Sequence, residues 1–347
     1  MELTAGKLWC YRRLADENGI FKMTAVDQRP PIMNLVKDKI GVTEANYKDV
    51  AAVKALLTKT LAPCSTAMLL DPIWAYPNAI QYVNPGQGLL LTLEAHNFVD
   101  TKNGRLSSEI VDWSVEKIKR IGADGVKFLS WYRPDADPSV CEQQQNLVEK
   151  IGKACKRFDI SFLLELLVYP LPGDSNQTTD YIEHASKHPQ NVVDSLKAFA
   201  DPRFGVDIFK LESPVPGRAV PSPESAESGQ CQEWFDKLGE ICQVPWVMLS
   251  AGADMATFKN ILTYAYRAGA SGYLAGRAIW WEAAQQFPDL GSMEEQLVKK
   301  AVPYAREIGD LTVKNATPWF RNKAFADGIN LSGFGETFPA EYRALNN

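Results

Sequence analysis

Residues 204–217 read FGVDIFKLESPVPG. Ile208, Phe209 and Leu211 mark a buried strand, yet Lys210 stands at its centre and Glu212 follows two residues later. Burying a lone ammonium is costly, so such a lysine either pairs with a carboxylate or gives up its proton. The run is apolar at consecutive positions, not at alternate ones, as in a strand of a parallel sheet covered on its outer face. Seven further runs share this character: FKMTAVDQR (21–29), TAMLLDP (66–72), GLLLTLE (88–94), GVKFLSWY (125–132), ISFLLELLVYP (160–170), PWVMLSAG (245–252) and GYLAGRAIW (272–280).

Amphipathic helical segments separate most of these runs. TEANYKDVAAVKALLTKTLA (43–62) has a strong 3.6-residue period and Thr43 as an N-cap candidate. SSEIVDWSVEKIKRIGADG (107–125) offers Gly122 as a C-cap, and residues 137–159, 191–201, 231–242, 254–270 and 288–316 continue the alternation. Eight strands with helices between them predict an α/β fold, a (β/α)8 TIM barrel, in preference to a doubly wound sheet. Neither GxGxxG nor GxxxxGK[ST] occurs, which counts against dinucleotide and P-loop folds. The expected organisation is a single barrel domain over residues 1–316. A C-terminal extension, 317–347, packs on the barrel or on a partner subunit.

The chain has 347 residues, 46% of them hydrophobic, and a net charge of −5 from 37 basic and 42 acidic residues. No polybasic footprint is present, so nucleic acid and anionic membranes are poor partners. No run reaches the roughly 18 apolar residues of a membrane helix, and the N-terminal stretch lacks a signal-peptide core. Six scattered cysteines without a CxxC pattern predict reduced thiols in a cytoplasmic protein.

In a barrel, functional groups collect at the C-terminal ends of the strands. Those ends carry Asp27-Gln28-Arg29, Asp71, Glu94, Lys127 with Arg133 beyond it, Glu165, Lys210 with Glu212, Ser250-Ala251-Gly252, and Gly276-Arg277. Lys127 and Lys210, if both point inward, disfavour each other's charge, which is what an amine nucleophile requires. Glu165 lies on the strand between them. Its leucine neighbours predict a raised carboxyl pKa and a part in proton transfer. Glu212 is expected to act as an ion-pair partner for either lysine. The plainer reading of Lys–Glu pairs is a structural plug in the barrel interior. Two lysines and a glutamate on three successive strands favour chemistry instead. LSAGAD and AGRA, after the last two strands, supply small-residue turns, a helix start and a guanidinium, a combination suited to phosphate.

LADENGIFKMTAVDQR, AMLLDP, GADGVKFL, FLLELLVYP, FADPRFGVDIFKLESPV, PWVMLSAG and LAGRAIW resemble the class I tagatose 1,6-bisphosphate aldolases and their relative, sulfofructose 1-phosphate aldolase. The similarity keeps its order and spacing from about residue 14 to 281. It implies a (β/α)8 barrel with no metal and no cofactor, a Schiff-base lysine at Lys210, its neighbour at Lys127 and an acid/base glutamate at Glu165. It places substrate contacts at Asp27, Gln28, Ser250, Gly252, Gly276 and Arg277. The implied reaction is reversible cleavage of a ketose 1-phosphate to dihydroxyacetone phosphate and an aldehyde. LSWYRPD (129–135), PWVMLSAGAD and LAGRAIW look closer to the sulfosugar branch, so the distal anion stays open. Arg29 and Arg133 are the candidates to read it. The chain is also longer than the family pattern in the loop 171–190 and in the tail.

Two rival readings differ in class. A metal-dependent aldolase would draw on His96, His184 and His188, the last two spaced i, i+4 as if on one helix face. A sugar-phosphate-binding regulatory barrel would use the fold without chemistry. The tail aromatics Trp319, Phe320, Phe334 and Phe338 are expected to be exposed and to form a homo-oligomer interface.

Overall fold

The computed structural model describes residues 2–171, 174, 184, 187–333 and 335–342. Eight parallel strands close a barrel in sequence order. They are β1 (Phe21–Ala25), β2 (Ala67–Leu70), β3 (Gly88–Thr92), β4 (Gly125–Trp131), β5 (Ser161–Leu167), β6 (Ile208–Leu211), β7 (Trp246–Met248) and β8 (Gly272–Ala275). Each expected run contains one of them. The last run divides: its strand stops at Ala275 and a helix, Arg277–Ala284, takes over the AIW segment.

Strand parity separates two apolar layers. Met23, Ala67, Leu69, Leu90, Leu163, Ile208, Val247 and Leu274 pack together inside the barrel. Met68, Leu89, Leu91, Val126, Phe128, Phe162, Leu164, Phe209 and Met248 instead join the helices outside. Both faces are buried, which is why the strands are continuously apolar. The inward parity also contains Lys127, Glu165 and Lys210.

Helices Pro138–Arg157, Pro189–Phe199, Ser228–Ile241 and Met255–Arg267 follow β4 to β7 at the expected places. After β1 come two helices, Pro30–Ile40 and Tyr47–Leu61, and the second is capped by Asn46, whose side chain accepts from the Asp49 amide. Thr43 therefore lies outside it. The helix after β3 is only Val115–Arg120, with Gly122 beyond its end at φ +88°. The last helical stretch contains a π-helical segment, Leu297–Ala301, between Leu290–Gln296 and Val302–Asn315. Pro303 has no amide hydrogen to give there, and the wider turn absorbs the missing bond.

The N-terminal end of the barrel is covered. The Ala5–Leu14 helix lies beneath it, with the Tyr11 hydroxyl donating to the Asp207 carbonyl and Lys7 Nζ paired to Asp207 at 2.8 Å. Trp319 stacks on Tyr11 at 4.8 Å and is 4% exposed; Phe325 meets both rings edge-on. The expected exposed interface thus loses Trp319 to the core. Phe320 remains 38% exposed, Phe338 is half-buried and stacked on Tyr342, and Phe334 lies outside the described residues. Among the described residues, no helix is long and apolar enough to cross a membrane.

A hairpin not anticipated from sequence, Val99–Thr101 with Gly104–Leu106, rises beyond β3. Its Arg105 is buried over the rings of Phe98 (3.7 Å), Trp131 (4.7 Å) and Tyr169 (5.1 Å) and paired with Asp100 at 2.9 Å. The local signal was the Lys102-Asn103-Gly104 turn between two short polar segments.

Candidate active site

Register sets the site. Glu165 on β5 lies directly beside Lys210 on β6, and Lys127 on β4 lies beside Thr92 on β3 and Leu163 on β5. Glu165 is two residues further along β5 than Leu163, on the same inward face. One carboxylate oxygen, Glu165 Oε2, therefore receives both ammonium groups, Lys127 Nζ at 2.8 Å and Lys210 Nζ at 3.0 Å. All three side chains are nearly inaccessible.

Lys127 has two further carboxylates around it, Asp27 at 2.9 Å and Glu94 at 2.6 Å. Asp27 also accepts from the Thr92 hydroxyl at 3.3 Å. Glu94 is gripped by Arg29, which donates to its carboxylate at 3.0 Å and to its own backbone carbonyl at 2.8 Å. The Leu129 amide donates to the other Glu94 oxygen at 3.2 Å. Three cations, Lys127, Lys210 and Arg29, thus face three carboxylates, Asp27, Glu94 and Glu165. The set is balanced, which is what lets it stay buried.

The electrostatics correct one expectation. Burial pushes the Glu165 carboxyl upward, as its leucines suggested, but the charges of Lys127 and Lys210 outweigh burial and hold it below the usual glutamate value. Asp27 behaves likewise, pushed up by burial and held well down by Lys127, Lys210 and Arg29. Glu94 goes the other way: burial raises it, with Lys127 and Arg29 only partly opposing.

Above this charged floor is a narrow cavity of about 20 Å³. Gln28, Glu165, Leu167, Lys210, Leu249, Ser250, Ala251, Leu274, Gly276 and Arg277 line it. Of the residues expected to hold substrate, Gln28, Ser250, Gly276 and Arg277 are in this wall. The buried Gln28 Oε1 has no hydrogen-bond partner among the described residues. Gly276 is required by close approach, since a Cβ there would meet the Ala25 carbonyl and Gln28 Nε2, each at 2.6 Å. Beyond β7, Ala251 and Gly252 are successively left-handed, at φ +48° and +88°. A non-glycine in that region costs on the order of 1–3 kcal/mol and is typical of functional turns. The turn leads into Asp254, which caps the Met255–Arg267 helix through the Thr257 amide. Gly252 sits against the Arg277 guanidinium, 3.4 Å from where its Cβ would be, so the two turns meet.

Other expected contacts go elsewhere. Asp27 is one layer below the cavity, on Lys127. Arg29 is 3% exposed and directed to Glu94. Arg133 is held by both Asp135 oxygens, by Asp174 at 2.7 Å and by the Tyr169 carbonyl at 3.0 Å. Both arginines are therefore turned to protein acceptors, not into the cavity. Glu212 pairs with neither Lys127 nor Lys210: β6 ends at Leu211, and Glu212 binds Lys187 at 2.6 Å and the Val168 amide at 2.7 Å. His188 caps the Pro189–Phe199 helix and His184 precedes it, so the two do not share a helix face. Glu94 was visible in sequence as a lone charge ending an apolar run, but its partners were not.

Residues 22–282 match the DeoC/LacD family aldolase. Tagatose 1,6-diphosphate aldolase 1 of Streptococcus mutans is 32% identical over 327 residues, covering 92% of this chain and 99% of the relative. Tagatose 1,6-diphosphate aldolase 2 of Enterococcus faecalis is 33% identical, covering 84% and 88%. Among solved structures, an archaeal fructose 1,6-bisphosphate aldolase superposes with a TM-score of 0.56 at 16% identity, covering 89% of this chain and 99% of that one. Fructose-bisphosphate aldolase of Plasmodium falciparum gives 0.60 at 11% identity, covering 91% and 97%. These last two are likenesses of fold. The chain belongs to the DeoC/LacD family of aldolases, enzymes that break and form carbon–carbon bonds.

Proposed function

We propose that the protein is a class I aldolase that cleaves a ketose 1-phosphate reversibly to dihydroxyacetone phosphate and an aldehyde. The observation that carries this reading is the shared Glu165 oxygen between Lys210 and Lys127, at the floor of a cavity whose rim holds Ser250 and Arg277. The relatives named tagatose 1,6-diphosphate aldolase support the substrate class. Tagatose and fructose bisphosphates and sulfofructose 1-phosphate share the half that Lys210 and the rim would read.

Lys210 first gives a proton to Glu165, 3.0 Å away. The free amine attacks the ketone carbon, and the proton held by Glu165 leaves with the carbinolamine hydroxyl as water, giving an iminium and an ionised Glu165. That cation accepts the electron pair of the C3–C4 bond as the bond breaks, while the C4 hydroxyl gives its proton to the ionised Glu165 and leaves as the aldehyde carbonyl. Glu165 takes part in returning a proton to the resulting enamine, and hydrolysis frees Lys210. Lys127, buried beneath the cavity and 2.8 Å from Glu165, keeps Glu165 ionised. Ser250, the Gly252 and Gly276 turns and Arg277 hold the 1-phosphate, the guanidinium supplying a charge-assisted fork. Gln28, with its unpartnered oxygen in the cavity wall, accepts from a sugar hydroxyl. No step requires a metal.

Borohydride reduction in the presence of dihydroxyacetone phosphate, followed by peptide mass spectrometry, tests the mechanism. A covalent adduct is expected at Lys210; a wild-type protein that gives none overturns it. Cytoplasmic location goes with this reading, and the six cysteines stand as free thiols. Homo-oligomerisation is also proposed, on the exposed Trp9 and Phe320, and sedimentation at a monomer mass would reject it.

A further inference from the structure

Arg29 was expected to read a distal anion, and the geometry points to a different task. It lies in the Asp27-Gln28-Arg29 segment after β1, yet its guanidinium reaches across to Glu94, beyond β3, and holds it by both carboxylate and backbone carbonyl. Glu94 in turn gives Lys127 its shortest carboxylate contact, 2.6 Å, against 2.8 Å to Glu165 and 2.9 Å to Asp27. We propose that Arg29 and Glu94 form a positioning pair that holds the Lys127 ammonium between Asp27 and Glu165, and so sets how readily Glu165 exchanges its proton. Neither residue lines the cavity. The inference rests on the aldolase reading above, in which Glu165 moves the proton.

The charge balance gives the pair a sign. Facing Glu165 are Lys127 from β4, Lys210 from β6 and Asp27 from beyond β1. Facing Glu94 are Lys127, Arg29 and Asp27. Removing Arg29 takes one positive charge from a balanced buried set and leaves Glu94 to draw Lys127 toward itself. Glu165 then loses part of the cation that keeps it ionised. Neutralising Glu94 does the reverse, leaving Lys127 shared by two carboxylates where there were three. The two perturbations must therefore move Glu165 in opposite directions. A structural prop alone has no such sign.

The test is the pH dependence of kcat for Arg29→Met, Arg29→Lys and Glu94→Gln, with borohydride trapping at Lys210 on the same samples. Arg29→Met should move the acid limb to higher pH by about 0.5–1 unit, less than the 1–3 units of a directly bonded charge. Glu94→Gln should move it to lower pH, and Arg29→Lys should return it toward wild type. KM should change by less than about threefold in all three, because no substrate contact is removed. If Arg29→Met fails to fold, the opposite shift in Glu94→Gln and the Arg29→Lys profile still decide. A raised KM with an unshifted limb overturns the positioning role in favour of substrate contact. A wild-type adduct at Lys210 with both limbs unmoved, or moved together, overturns this role alone. A wild-type protein without an adduct overturns the aldolase reading and this role with it.

Discussion

Replacing Lys127 by methionine removes the one ammonium that three buried carboxylates share. Its side chain is fully buried, 2.6–2.9 Å from Asp27, Glu94 and Glu165. Methionine fills a similar volume, so little cavity is created and the change is electrostatic. Arg29 still meets Glu94 and Lys210 still meets Glu165, which leaves Asp27 with the Thr92 hydroxyl and one negative charge in excess. Breaking a buried pair by deleting one partner costs about 3–5 kcal/mol. For 347 residues, at about 2.1 cal/mol/K of unfolding entropy each, that is a fall in Tm of about 4–7 °C.

The loss must also depend on pH. In the wild type the Asp27 and Glu165 carboxyls lie below their ordinary values, so their contribution is present above about pH 4 and disappears only as pH falls through the folded values. In Lys127→Met the burial term is less opposed, these carboxyls rise, and protonation relieves the excess charge. The gap between the two proteins is therefore largest near pH 8 and narrows toward pH 5. Scanning calorimetry or urea denaturation at pH 5, 6.5 and 8 measures it. An unchanged or raised Tm at pH 8, or a gap that does not vary with pH, refutes the account of Lys127 as the centre of a charge-balanced floor.

Other outcomes follow from the same geometry. Glu165→Gln should lower kcat by about 10²–10⁴-fold while keeping the fold, since a positioned acid/base group contributes that much; a loss below tenfold would remove Glu165 from proton transfer. Arg277→Ala should raise KM for a phosphorylated ketose by roughly 10–100-fold, the worth of a charge-assisted hydrogen bond, with kcat less affected; an unchanged KM would move the phosphate elsewhere. Lys187→Met should destabilise by about 3–5 kcal/mol by taking from buried Glu212 the ammonium it meets at 2.6 Å, which denaturant titration measures, and Lys210 should still trap dihydroxyacetone phosphate; loss of the adduct in a folded protein would return Glu212 to the catalytic lysines. Prolonged chelator treatment should leave cleavage activity intact, and its abolition, restored by added metal, would favour a metal-dependent aldolase.

The barrel was legible because its signal is local. Strands buried on both faces are apolar at every position, and eight such runs with helices between them admit few architectures. The same logic exposed Lys127, Glu165 and Lys210, since an isolated charge inside an apolar run is anomalous wherever the run ends up. Ser250, Gly276 and Arg277 were legible from small-residue turns at the ends of the last two strands. Partnership was not legible. Glu212 stands two residues from Lys210, yet it binds Lys187. Glu94 and Arg29 are 65 residues apart in sequence, yet they bind each other. Whether Glu165 is raised or lowered also depended on which cations reach its oxygen. Residue types and spacing thus determined which groups had to be buried. Only closure of the barrel, with its register bringing β1, β3, β4, β5 and β6 around one centre, decided which charge neutralises which, because Coulomb energy depends on distance in space and not along the chain.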